Sequence, residues 1–162
     1  MRSGTTVTAC IAVGANLGYA QVTVRQALID LARLPQSQLL KASALYRSAP
    51  FEATGPDFIN AVALVETQLS AQALLAALQA LELQAGRERP YQNAPRTLDL
   101  DLIFHGEQVL STPTLTLPHP RWQERAFVLL PLAEICPERV SEAMLARVKH
   151  QAIERIPDDV AS

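Results

Sequence analysis

Two aspartates lie inside an otherwise apolar stretch, APRTLDLDLIF, at residues 94–104. Leucines alternate with Asp99 and Asp101, which is the pattern of a strand with one buried face. The two carboxylates therefore share the other face, with Cα atoms roughly 7 Å apart. They could converge on one small ion or on a closely spaced pair, and an all-oxygen ligand set favours Mg²⁺ over Zn²⁺. The alternative is a solvated face on which the two charges bind nothing.

Basic side chains are concentrated in the segments around this strand. Each of them alone is typical of a solvated surface residue, but together they could neutralise the charge of a transferring phosphoryl group. The sequence has no P-loop, no GxGxxG, no GxSxG and no CxxC motif, so it lacks the usual signals of those nucleotide, nucleophile and redox sites. The basic set comprises Arg87, Arg89, Arg96, His119, Arg121 and Arg125.

The composition indicates one globular domain over residues 1–162, with a core over about 6–140 and a C-terminal helix and tail over 141–162. The chain is 49% hydrophobic and has a net charge of −2, without the basic excess that nucleic-acid binding usually requires. No apolar run could span a bilayer, and no signal peptide is recognisable. We therefore expect a cytoplasmic protein in which Cys10 and Cys136 are buried free thiols.

Hydrophobic periodicity predicts strands and helices in the order β-α-β-β-α-β, followed by further elements. This order is typical of the split βαβ arrangement, an α/β (α+β) ferredoxin-like fold with an antiparallel sheet and helices on one face. The predicted strands are 6–14, 38–47, 58–67, 97–104 and a short one near 114–117; the predicted helices are 21–34, 71–85 and 123–134.

Several stretches, in chain order, resemble one enzyme family over about residues 6–140. They are VGANLG, ALYRSAPF, DFIN, QALELQAGRER and APRTLDLDLIF, with PHPRWQERAFVLLPL downstream. The family is 6-hydroxymethyl-7,8-dihydropterin pyrophosphokinase of folate biosynthesis. The resemblance implies a ferredoxin-like diphosphotransferase that moves pyrophosphate from ATP to the pterin hydroxymethyl group and releases AMP. It implies two Mg²⁺ ions and ATP as co-substrate. Separately, we expect no nucleic-acid or membrane partner, and a monomer.

The resemblance also assigns roles by position. Asp99 and Asp101 are similar to the pair that holds both magnesium ions, and Arg87 and Arg96 to catalytic arginines that handle phosphates. The pterin would be bound by Ser48, Phe51, Phe58, Asn60 and Phe127. The nucleotide would be bound by Gln79, Glu82, Arg89, Leu102, Thr116, His119 and Arg125. Offset stacking of the pterin between Phe58 and Phe127 is physically sound, although ordinary core packing is the alternative for both rings.

Two other functional classes remain open from the residues alone. A non-catalytic ligand-binding module of the same fold would not need both Asp99 and Asp101. A different Mg²⁺-dependent phosphoryl or nucleotidyl transferase would share the aspartates without needing Phe58, Asn60 and Phe127. Binding of a pterin discriminates among the three.

Overall fold

The structure, a computed structural model, describes residues 5–50, 55–86 and 98–157. Its strands are β1 Val7–Ala15, β2 Ser37–Ala42, β3 Tyr46–Ser48, β4 Phe58–Thr67, β5 Asp99–His105, β6 Leu110–Ser111, β7 Thr116–Leu117 and β8 Ile153–Arg155. Its α-helices are α1 Ala20–Leu31, α2 Ala71–Ala85, α3 Ala126–Ile135 and α4 Glu142–Arg147. Short 3₁₀ turns cover Trp122–Glu124 and Pro137–Arg139.

One six-stranded sheet organises the chain. Its order is β5-β1-β4-β3-β8, and β2 pairs with β4 beyond the end of β3. Every pairing is antiparallel, and β6 and β7 form a separate two-stranded sheet. The fourth, first, third and second strands of the β-α-β-β-α-β unit thus lie side by side in that order. The ferredoxin-like prediction is confirmed.

Helices cover both faces of the sheet, so the expectation of helices on one face alone is wrong. Helices α1 and α2 cover one face, where Val24 and Leu74 join the larger buried cluster. Helix α3 covers the other face, and its Val128 and Leu132 pack against apolar side chains of β1, β4 and β5. Burying an aliphatic side chain of this size stabilises the fold by about 1.5–3 kcal/mol.

The predicted strand over 38–47 is two strands with an interruption. The register of β2 against β4 shifts between Leu39 and Lys41, and the pairing ends at Ala42. The Ser43 hydroxyl then accepts a hydrogen bond from the Val62 amide at 3.0 Å, where a strand would offer a backbone carbonyl. Because a side chain satisfies this donor, the chain bends and restarts as β3. Ser48 lies at the end of that short strand.

Other predicted boundaries differ from the structure by one to three residues. Helix α1 ends at Leu31 rather than 34, because Pro35 disfavours helical geometry at Leu34. The strand near 114–117 is only Thr116–Leu117. Helix α3 begins at Ala126, after a 3₁₀ turn rather than at 123. Helix α2 has the predicted bounds, and Ser70 caps it by accepting from the Ala73 amide at 3.0 Å.

The C-terminal segment contains a strand in addition to the expected helix. Helix α4 is present, but Ile153–Arg155 then pair with β3 and extend the main sheet. Both cysteines are free and buried, as expected. No helix within the described ranges is long and apolar enough to cross a membrane.

Candidate functional site

Three neighbouring strands bring the candidate residues into two parallel rows. In one row Gly14 of β1 pairs with Asn60 of β4 on one side and with Asp99 of β5 on the other. In the next row Ala12 pairs with Asp101 in the same way. Asn60 and Asp99 are therefore two strand spacings apart, about 10 Å. An amide and a pair of carboxylates face the same space across a floor of very small side chains.

A cavity of about 250 Å³ lies over this floor. Sheet residues form its base, the end of β3 forms one side, and the start of α3 forms the other. Its lining consists of Ala12, Val13, Gly14, Ser48, Ala49, Phe58, Asn60, Asp99, Asp101, Arg125 and Phe127. Seven candidate residues from the sequence meet here: Ser48, Phe58, Asn60, Asp99, Asp101, Arg125 and Phe127.

The orientation of the buried Asn60 amide is determined by its neighbours. The Ser48 hydroxyl donates to Asn60 Oδ1 at 2.6 Å. Asn60 Nδ2 lies over Gly14, where an added Cβ would stand only 3.2 Å away. The absence of a side chain at Gly14 therefore makes room for the amide nitrogen. With Oδ1 engaged by Ser48, Nδ2 is the group that Asn60 offers to an acceptor on a ligand.

Two aromatic rings and a guanidinium belong to the same cavity. Phe58 begins β4, Phe127 lies in the first turn of α3, and both rings are half-buried. The Arg125 guanidinium carbon is 5.6 Å from the centre of the Phe127 ring. Arg125 Nε is buried and has no hydrogen-bond partner among the described residues. A buried donor of this kind favours an anionic or strongly accepting ligand in the cavity.

The carboxylate pair matches the predicted geometry. Leu98, Leu100 and Leu102 are buried on the core face of the sheet. Asp99 is exposed and Asp101 half-buried on the cavity face. Within the described ranges no group of three or more His, Cys, Asp or Glu side chains could hold a metal ion. Two carboxylates alone nevertheless fit Mg²⁺, which usually keeps waters and takes further ligands from substrate phosphates.

His119 lies near Asp101, and its surroundings favour the neutral imidazole. Its partial burial lowers the pKa of the imidazole, an effect that Asp101 opposes and nearby guanidinium groups reinforce. Its Nδ1 accepts a hydrogen bond from the Arg121 amide at 3.1 Å. In the neutral ring the proton is therefore on Nε2, which leaves His119 a donor toward a ligand.

Comparison with known proteins now identifies the family. A family model described as 7,8-dihydro-6-hydroxymethylpterin-pyrophosphokinase (HPPK) matches residues 10–137. The chain belongs to the HPPK family. The family and the reaction class expected from the sequence are thereby confirmed.

Curated relatives agree with this assignment. A 2-amino-4-hydroxy-6-hydroxymethyldihydropteridine pyrophosphokinase of Pseudomonas aeruginosa is 43% identical over 154 residues, covering 91% of this chain and 95% of that protein. The enzymes of the same name from Synechocystis and Haemophilus influenzae are 42% and 38% identical. They cover 82% and 83% of this chain and 68% and 84% of their own lengths.

Solved structures support the fold alone. Plasmodium falciparum HPPK-DHPS with pteroate has a TM-score of 0.70 at 12% identity and covers 93% of this chain. Another HPPK-DHPS, in complex with substrates, has a TM-score of 0.65 at 14% identity and covers 89% of this chain. This chain spans 43% of each of those longer chains.

The remaining nucleotide-side candidates of this HPPK chain lie outside the cavity, along α2, β5 and β7. Gln79 is exposed on α2, and Thr116 is exposed on β7. The Leu102 side chain is in the core. By strand alternation its backbone points to the same outer edge of β5 as that of Leu100. Any contact of Leu102 with a ligand would therefore be made by its backbone, and these residues lie toward one edge of the sheet.

Glu82 has a structural role that the sequence did not indicate. Its Oε2 accepts a hydrogen bond from the Leu100 amide at 2.7 Å, between the two aspartates of β5.

We expect Glu82→Ala to lower the free energy of unfolding by about 1.5–3 kcal/mol, since a charge-assisted bond to backbone is lost. Urea unfolding measures this change. Gln72→Ala, an exposed position on the same helix, is the matched control and should change stability by less than about 0.5 kcal/mol. Equal stability of the two variants would contradict a stabilising role for the hydrogen bond between Glu82 and Leu100.

Four candidate residues are not among those that the structure describes: Phe51, Arg87, Arg89 and Arg96. Conversely, sequence reasoning missed the small cavity-lining residues Ala12, Val13, Gly14 and Ala49. The VGANLG match was a signal for Gly14, but only strand register shows that this glycine lies between Asn60 and Asp99.

Proposed function

We propose that this chain transfers the β,γ-diphosphate of ATP to the hydroxymethyl group of 6-hydroxymethyl-7,8-dihydropterin, giving the pterin diphosphate and AMP in folate biosynthesis. One observation carries the proposal. A single cavity has a hydrogen-bonding amide and two aromatic rings at one end and two carboxylates at the other, about 10 Å away. A flat heterocycle held at the first end would extend its hydroxymethyl arm toward the second.

The pterin end would recognise its ligand by shape and by one oriented donor. Phe58 and Phe127 would stack on the two faces of the ring, as the resemblance implies. Asn60 Nδ2, oriented by Ser48, would donate to an acceptor on the heterocycle. A ligand without an acceptor at that edge would leave the buried amide unpaired, which costs about 1–3 kcal/mol.

The phosphate end would neutralise and orient negative charge. We assign Mg²⁺, two ions in the proposed complex, to Asp99 and Asp101. The bound metal would supply charge neutralisation on the phosphates and lower the pKa of the substrate hydroxyl. Arg125, whose buried Nε lacks a protein partner in the described part of the chain, would donate to a phosphate oxygen. Neutral His119 would donate through Nε2 on the nucleotide side.

The reaction would be an in-line displacement at the β-phosphorus of ATP. The pterin hydroxymethyl oxygen forms the new O–P bond, and the bond from that phosphorus to the oxygen it shares with the α-phosphate breaks. AMP leaves with that oxygen, and the hydroxyl proton passes to solvent. No described side chain is an obvious general base. Positioning and electrostatic stabilisation therefore carry the catalysis.

A product assay tests the proposal. Purified protein is mixed with ATP, Mg²⁺ and the pterin, and AMP is resolved from ADP. We expect AMP that depends on both the pterin and Mg²⁺. Formation of ADP would indicate ordinary phosphoryl transfer, and binding of the pterin without either product would indicate a ligand-binding module. Both results contradict the proposal.

We further propose that the chain acts in the cytoplasm as a monomer and folds as one domain over residues 1–162. The continuity of the main sheet from β1 to β8 supports the single domain.

A further inference from the structure

A glutamine near the C-terminus bridges two backbone groups at the start of α3. Gln151 Oε1 accepts a hydrogen bond from the Ala126 amide at 2.9 Å. Gln151 Nε2 donates to the Glu124 carbonyl at 2.8 Å. The first amides of a helix have no partner within the helix, and the N-cap residue Arg125 makes no side-chain cap bond. Gln151 therefore caps α3 from a distant part of the chain.

The first turn of α3 is also the wall of the catalytic cavity. Arg125 and Phe127 lie immediately beside the capped amide, and both line the cavity. The other end of α3 is held independently, because Glu134 accepts from the Tyr46 hydroxyl at 2.8 Å and from the Ala44 amide. Loss of the Gln151 bonds would thus loosen the first turn and leave the rest of the helix docked.

The segment that carries Gln151 supports the opposite wall as well. The Ala49 amide donates to the Ala152 carbonyl at 3.1 Å, and Ser48 pairs with Ile153 in the sheet. A small cavity of about 180 Å³ lies between this segment and the backs of Ser48, Ala49 and Phe127. Residues 150–153 therefore stand directly behind both walls, and they lie beyond the region that the family model matches.

We infer that Gln151 is a positioning residue of the pterin pocket: by joining the start of α3 to the segment paired with β3, it sets the separation between Phe127 and the Ser48–Asn60 pair. It touches no substrate and acts through Phe127, which lies in the capped turn. The inference rests on the proposed function. It predicts a larger effect on the pterin than on ATP. The nucleotide candidates on α2, β5 and β7 belong to other elements, and of the candidates that the structure describes only Arg125 and His119 lie near the capped turn.

The test compares three variants with the wild type. Gln151→Ala removes both bonds, and we expect the Kd and KM for the pterin to rise about tenfold while the KM for ATP rises clearly less. Hydrogen exchange at the Ala126 amide should be at least about tenfold faster. Ile156→Ala, which removes packing of the same segment without touching the cap, controls for lost stability. Gln38→Ala, an exposed glutamine on β2, controls for the substitution itself.

Each outcome is decisive. Selective loss of pterin affinity in Gln151→Ala, absent from Ile156→Ala at a comparable melting temperature, would support the inference. Equal losses for the pterin and ATP, or equal losses in both variants, would reduce Gln151 to a stability role and overturn it. If the wild type binds the pterin and Gln151→Ala binds it equally well, the inference is overturned while the proposed function stands. A wild type that does not bind the pterin would overturn the proposed function, and the inference with it.

Discussion

Asp101→Asn is expected to lower the rate of pterin-dependent AMP formation by about a thousandfold, and Asp99→Asn to have a similar effect. Both side chains lie on the cavity face of β5, where they are the candidate metal ligands nearest the proposed phosphate path. An amide in place of a carboxylate removes the charge that holds Mg²⁺ and weakens stabilisation of the transferring phosphates. Losses of about 10²–10³ are typical when one such electrostatic group is removed. The measurement is kcat with saturating Mg²⁺, ATP and pterin.

The same substitutions should leave the fold intact, which separates a catalytic role from a structural one. Neither side chain belongs to the buried core, and two close carboxylates repel each other without a bound cation. We therefore expect a melting temperature without Mg²⁺ equal to or above that of the wild type. Glu66→Gln, a carboxylate on β4 at the far end of the same sheet, is the matched control and should keep normal turnover. Near-normal rates for either aspartate variant would refute the metal assignment.

The local part of this site was predictable because it depends on neighbours in sequence. Asp99 and Asp101 share a face because side chains alternate along any strand, and this needs no knowledge of tertiary structure. The row that joins Asn60, Gly14 and Asp99 was not predictable. It depends on the register of β1 against β4 and β5. Hydrophobic alternation alone does not determine which residues of two strands pair.

The sequence does contain a signal that both faces of the sheet are covered, although we expected helices on one face only. In β1 the run ACIAV has no polar residue on either face, and residues 9–13 are buried. A continuous apolar strand indicates a sheet covered on both sides, whereas a solvated face gives alternation. Helix α3 supplies the second cover.

The contribution of the C-terminal segment was beyond sequence reasoning. The strand Ile153–Arg155 has only three residues, too few for a periodic pattern, and it forms because β3 leaves an open edge. The cap by Gln151 joins residues 25 positions apart through a side chain and a backbone amide. Such a bond obeys no spacing rule, so only the folded chain reveals it.

Asn60→Ala is expected to lower kcat/KM for the pterin by about 10- to 100-fold while the KM for ATP changes little. The buried amide offers Nδ2 over Gly14, and its removal deletes the one oriented donor at the pterin end. A lost hydrogen bond of this kind corresponds to about 1–3 kcal/mol of transition-state binding. Steady-state kinetics with one substrate varied at a time measure the effect on each.

Two further variants separate recognition by Asn60 from its support by Ser48. Asn60→Asp keeps an acceptor for the Ser48 hydroxyl but has no amide hydrogen, so it should lose pterin binding as Asn60→Ala does. Ser48→Ala breaks the same 2.6 Å bond and leaves the amide present. It should cost less than about tenfold, since the amide loses only its orientation. If Asn60→Asp retains full affinity, Nδ2 is not the donor, and the pterin end must recognise its ligand through stacking and backbone groups instead.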